Sequence, residues 1–174
     1  MAFDAKSMMF LSKQMDRLDI PEEEREQFVS NLFDWSRQVR QVESDDNPLA
    51  AAGTTSAKGV YQFTDPSVDT ALNRMIYANK QGRGYERDFV DEISQNPQEW
   101  TDEQADAMFL ANMMAQTGSD EYLKKIGAGD EQARQDAYYK FHHTAPDEAT
   151  IKRVMRMMPT LEDEVVTEQG SEAF

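Results

Sequence analysis

The chain has no cysteine, which excludes disulfides, thiol chemistry and thiolate metal sites and leaves packing as the source of stability. Positive charge is also scarce: 18 Lys and Arg stand against 33 Asp and Glu, for a formal net charge of −15. Such a chain repels nucleic-acid phosphates and anionic lipid heads unless a basic patch opposes it, so no nucleic-acid partner is expected. The densest basic run, Lys152, Arg153 and Arg156, lies on a Met-rich helix beside an acidic tail and reads as a solvated helix face. No apolar run is long enough to span a membrane. The short one from Met8 to Leu11 has Asp4 before it, Lys13 and Asp16 after it and no small-residue cleavage site, so no signal peptide is expected. Alternating strand patterns are almost missing too, which leaves an all-α fold class.

Within these bounds, 174 residues suit one domain with a substantial core. Met8, Leu11, Met15 and Leu18 mark a first amphipathic helix, and residues 1–20 are expected as an N-terminal helical arm. A second helix is predicted from Pro21 to about Val42, with Glu22, Glu23 and Glu24 favouring its N-terminal dipole. Further helices are predicted near Pro66 (capped by Thr64 or Asp65), near Tyr85, after Thr101, near Asp130 and near Pro146. Thr101 with Gln104 matches a capping box. The body of the domain is expected to span residues 21–158, and residues 159–174 form an acidic, sparsely apolar tail. Between Asp45 and Phe63 the residues are Asp, Asn, Pro, Gly, Thr, Ser and other small types, a long loop in a helical protein and therefore a candidate functional segment. It ends in Gly59-Val60-Tyr61-Gln62-Phe63, predicted as a short extended segment.

The apolar stripe of the second helix is Phe28, Leu32, Trp35, Val39 and Val42, and Glu43 falls at its edge, with Arg37 and Arg40 toward the opposite face. A carboxyl group at the negative end of a helix dipole and half embedded in apolar surface is expected to have a raised pKa. That is what a glycosidase acid needs in order to hold a proton near neutral pH. Other candidates are poorer. The neighbours His142 and His143 would point apart on a helix, with no ligand cluster beside them, so neither a metal nor a cofactor is expected. Asp45 and Asp46 read as loop caps, a second glycosidase carboxylate being the other reading.

Glu43-Ser44-Asp45-Asp46-Asn47-Pro48-Leu49-Ala50, continuing to Ser56-Ala57-Lys58-Gly59-Val60-Tyr61-Gln62-Phe63, resembles the signature of soluble lytic transglycosylase domains. That signature is a helix-terminal Glu-Ser, then Asn-Pro-x-Ala, then Gly-Ala-x-Gly-Leu-Met-Gln. Here the loop is one residue longer, Ser56 stands at the first glycine and Val60-Tyr61 replaces Leu-Met. Asp102 to Met114 is similar to the family's core helix, and Ala137-Tyr138 to the start of its Ala-Tyr-Asn-Ala-Gly motif, with Tyr139 in place of the asparagine.

The resemblance implies a lysozyme-like domain and an enzyme, a peptidoglycan lytic transglycosylase. Glu43 would protonate the glycosidic oxygen between N-acetylmuramic acid and N-acetylglucosamine, then deprotonate the muramic-acid primary hydroxyl to close an anhydro ring. Ser44, Gly59, Tyr61, Gln62, Tyr138 and Tyr139 are the implied substrate-binding positions, and glycan strands the implied partner. A wall-cleaving chain without a signal peptide is expected to reach its substrate as part of a phage virion, in contact with other tail or internal proteins, during genome ejection into the host periplasm. Two alternatives remain at this point: a structural virion protein on the same fold with weak or lost activity, and a hydrolytic endolysin.

Overall fold

The computed structural model describes residues 2–160; residues 161–174, where most of the expected acidic tail falls, lie outside the described residues. Among the described residues the regular structure is helical, and the only β pairing is two isolated bridges. The helices are α1 (Ala5–Arg17), α2 (Arg25–Ser44), α3 (Asp65–Lys80), α4 (Arg87–Asp91), α5 (Asp102–Ala115), α6 (Ser119–Gly127), α7 (Glu131–Ala137) and α8 (Glu148–Met157).

Helix α5 is the axis of the fold. Every residue from Ala105 to Met114 is buried, the pattern of a helix that is surrounded rather than laid on a surface. Its start is fixed by the expected capping box: Thr101 Oγ1 accepts from Gln104 N–H at 3.1 Å, and Gln104 Oε1 accepts from Thr101 N–H at 3.0 Å. Helix α3 packs along it, with Thr64 as N-cap and Pro66 in the first turn. Helix α2 starts four residues later than expected, at Arg25, because Glu22–Glu24 close a single 3-10 turn. The predicted stripe Phe28, Leu32, Trp35, Val39 and Val42 is buried throughout.

Helix α6 was not expected, since no side chain caps its start at Gly118. It nevertheless buries Leu123 and Ile126, and Gly127 lets it approach α2: a Cβ there would lie 2.0 Å from Cδ2 of Phe28. Helix α1, the expected arm, is held against the body. Phe10 stacks on Tyr85 with centroids 4.7 Å apart, Ser7 shares a 2.9 Å hydrogen bond with the Tyr85 hydroxyl, and Arg17 grips Asp120 of α6 through two hydrogen bonds of 2.7 and 3.0 Å.

Candidate active site

The C-terminal end of α2, the loop 45–63, α5 and the chain after α7 meet at one place. Helix α2 runs two residues past its expected end, and its last turn carries Glu43 and Ser44. It stops where Asp45 and Asp46 turn left-handed, at φ of +52° and +62°. Aspartate tolerates this conformation better than most residues, which supports their reading as caps.

The expected extended segment before Phe63 is instead a tight turn. Lys58 and Phe63 exchange backbone hydrogen bonds of 3.0 and 2.9 Å around Gly59–Gln62. Gly59 at φ +80° and Gln62 at φ +52° supply the left-handed positions that close it. A side chain at Gly59 would also put its Cβ 2.9 Å from the carbonyl oxygen of Pro97. Gly59 therefore meets protein rather than open space. Ser44 binds the turn to the helix, its hydroxyl donating to the Val60 carbonyl at 2.8 Å and accepting from Asn47 N–H at 3.2 Å. The Gln62 amide donates to the Gly59 carbonyl at 2.9 Å.

Tyr61 points inward and is 1% exposed. Its ring stacks on Phe109 of α5 at 4.5 Å, and its hydroxyl donates to Asp106 Oδ1 at 2.6 Å. Burial and the neighbouring carboxylate push the Tyr61 phenol well above its ordinary pKa, so it stays protonated. Asp106, itself buried, accepts two hydrogen bonds from Arg37, at 2.8 and 2.7 Å. Arg40 is 6% exposed by side chain and reaches Asp46 at 2.6 Å, Asp102 at 2.7 Å and Asp106 at 3.4 Å. Near the end of α2, the face opposite the apolar stripe thus meets α5 and the loop, and buried Arg40 with half-buried Arg37 forms a lock between them. The periodicity of α2 gave no sign of this, because a charged side chain reads as solvated until a partner covers it.

Glu43 sits beside this lock with 10% of its side chain exposed. The Tyr138 hydroxyl donates to its Oε1. His143 Nδ1 lies 3.4 Å and His142 Nε2 4.0 Å from the same oxygen. Both histidines arrive because the chain leaves α7 through a π turn, Tyr138–His142, closed by His143 N–H on the Tyr138 carbonyl at 2.8 Å. His142 ends this wider turn and His143 leaves it extended, at φ −138° and ψ 88°, so the neighbours both reach Glu43 instead of pointing apart, a correction to the sequence reading of the pair. His142 Nε2 is also 2.8 Å from the Tyr61 carbonyl, an acceptor, so that nitrogen carries the hydrogen. Tyr139 is half-buried, its ring edge-on to Tyr138 at 5.4 Å.

The raised pKa expected for Glu43 is reversed. Burial does push its carboxyl up, but the hydrogen bond from His143, the field of His142 and the Tyr138 hydroxyl together outweigh it and hold the group below its ordinary value. His143 is shifted up, chiefly by its hydrogen bond to Glu43, whereas burial pushes His142 down. Tyr138 is pushed up by burial and by Glu43, and remains a donor. Both shifts favour a Glu43 carboxylate facing a His143 imidazolium.

A groove of about 310 Å³ opens next to this cluster, walled by Gln62, Ser67, Asn112, Gln116, Phe141 and His142 among others. Amides, hydroxyls and an aromatic ring suit a neutral, hydroxyl-rich ligand. Among the described residues no three His, Asp or Glu side chains have metal-holding geometry. The chain matches no protein-family model, no curated protein and no solved structure.

Proposed function

We propose that this chain is a peptidoglycan lytic transglycosylase with Glu43 as its single acid and base. The observation that carries the reading is a largely buried carboxylate at a helix end, gripped by Tyr138 and His143 and bordered through His142 by a polar groove. One carboxylate suffices for a reaction in which the substrate's own hydroxyl is the nucleophile. An inverting or retaining hydrolase needs two. Asp45 and Asp46 are poor second carboxylates: Asp45 caps α2, and Asp46 is paired with Arg40.

In this reading Glu43 gives a proton to the glycosidic oxygen of the muramic acid–glucosamine link and then takes one from the muramic primary hydroxyl as the anhydro ring closes. The Tyr138 hydroxyl fixes the carboxylate and is placed to stay near the charge that develops. Ser44 and Gly59 act by shaping the loop, Tyr61 by anchoring it, and Gln62 by lining the groove.

The place of action proposed is the phage particle, from which the enzyme meets the wall from outside. The charge of −15 supports delivery by assembly, since a freely diffusing anionic protein is repelled by an anionic wall. Digestion of purified peptidoglycan, with products resolved by mass, tests the activity. Anhydro-muramic ends are the expected result; reducing ends indicate a hydrolase, and intact glycan indicates a structural protein. Proteomics of gradient-purified particles tests the location, and a chain found only in the soluble lysate overturns it.

A further inference from the structure

We propose that His143 is a positioning residue for Glu43, storing on Nδ1 the proton that Glu43 passes to the scissile glycosidic oxygen. This rests on the reading of Glu43 as a glycan-cleaving acid and answers a difficulty in it: a carboxylate that is ionised at rest has no proton to give.

Three groups converge on Glu43 Oε1, and only one of them can store a proton for it. Tyr138 donates to this oxygen, and its phenol, pushed above its ordinary pKa, does not release its proton at neutral pH. His142 is buried, commits its Nε2 hydrogen to the Tyr61 carbonyl and lies 4.0 Å from Glu43 Oε1, beyond hydrogen-bond reach. His143 remains. Its Nδ1 lies 3.4 Å from Glu43 Oε1 and 3.2 Å from the Tyr138 hydroxyl, and its side chain is 35% exposed, open to recharging from water. The other charged groups acting on the cluster are Asp147 at the start of α8, which favours the His143 cation, and Arg153 of α8, which acts on Tyr138.

The proton balance closes. Substrate that extends from the groove past His142 over the half-exposed His143 removes water from the pair, and a low dielectric disfavours the separated charges of carboxylate and imidazolium. The His143 Nδ1–H bond breaks and a Glu43 Oε1–H bond forms, leaving both side chains neutral. Glu43 then loses that proton to the glycosidic oxygen as the C–O bond breaks. The carboxylate next takes the muramic hydroxyl proton as the ring closes and returns it to His143. The net change is one proton moved from the substrate's hydroxyl to its leaving oxygen, and the pair is restored.

The chain has only two histidines, so ring-nitrogen NMR of the full-length protein labelled with 15N-histidine follows both directly. His143 is expected to titrate above 6.5 in the wild type and to fall back to about that value in Glu43→Gln. In His143→Gln, glycan cleavage is expected to drop on the order of tenfold at pH 7.5, recover toward the wild-type rate near pH 5 and leave KM unchanged, because the carboxyl must then draw its proton from a solvent in which protons grow scarce. An unfolded His143→Gln chain would be replaced by His143→Asn. Cleavage with a His143 titration indifferent to Glu43, or with an unaltered pH profile in the variant, overturns the role of His143 and leaves the proposed function standing. No cleavage by the wild type overturns the proposed function, and with it the delivery step, while a coupled titration would still show that the two side chains share a proton.

Discussion

The hydroxyl of Tyr61 and the carboxylate of Asp106 are 2.6 Å apart and both are buried, so the loop that follows Glu43 is tied to the central helix by a hydrogen bond that water does not reach. The same carboxylate receives Arg37 and Arg40. Asp106→Ala would leave two guanidinium groups without their shared partner, one of them buried. Breaking such a pair from one side costs about 3–5 kcal/mol. Tyr61→Phe keeps the ring stack and removes one hydrogen bond to a charged group, which is worth about 1.5–3 kcal/mol. Urea denaturation of the two variants should rank them in that order, and the reverse order would show that the lock contributes less than the phenol.

Glu43→Gln is expected to remove cleavage while leaving the melt close to that of the wild type. The amide keeps the shape of the carboxyl but can neither give nor take the proton. Acid–base assistance is worth about a hundredfold to ten-thousandfold, and here one group serves both steps. Cleavage near the wild-type rate by the folded variant would remove Glu43 from the chemistry. Asp45→Asn should retain activity, since Asp45 only closes the helix.

Gln62 and Phe63 separate function from stability. Phe63 is buried against Tyr61 and Trp100, and its truncation to Ala is expected to cost about 3–5 kcal/mol. Gln62→Ala loses a hydrogen bond to Gly59 and a wall of the groove, so it should lower activity more than it lowers the melt. Gln62→Gly, freed of the left-handed penalty of about 1 kcal/mol, should be more stable than Gln62→Ala. Thermal melts and turnover on the same preparations decide all three.

The Arg17–Asp120 pair gives a pH signature to the docking of α1. Asp120 is held below its ordinary carboxylate pKa, first by the hydrogen bond from Arg17. A depressed folded pKa gives stability that is present above the unfolded value, 3.8, and is lost as pH falls through the folded one. The pair is half exposed, so its worth is expected to be no more than about 1 kcal/mol. Wild type and Asp120→Asn should therefore differ slightly in urea midpoint at pH 6, and the difference should shrink as pH falls below 3.8. A difference that does not shrink on acidification below that value would assign the effect to shape rather than charge.

Much of the fold was legible because its signals are local. The α2 stripe and the Thr101 capping box follow from the spacing of apolar residues and from one hydroxyl–amide pair, and both stand as read. Helix α6 was not legible, since Gly118 offers no capping side chain and only nine residues carry its pattern. At the candidate site, the position of Glu43 at the end of an apolar stripe could be read, but its ionisation could not. That depends on His142 and His143, about a hundred residues away in sequence, and on the turn type that delivers them. The Arg37, Arg40 and Asp106 lock escaped for the same reason: charge on a helix face says nothing about what will cover it.

A π turn is a helix that carries one residue more than its path requires. Removing Lys140 would close this turn to ordinary α geometry, with the His143 N–H still meeting the Tyr138 carbonyl, now at four-residue spacing, and the chain on either side keeping its course. What the extra residue sets is the local angle at which His142 and His143 face Glu43. The candidate site is therefore specified by a count as well as by identities, and a chain one residue shorter here would keep its architecture while re-aiming the two histidines.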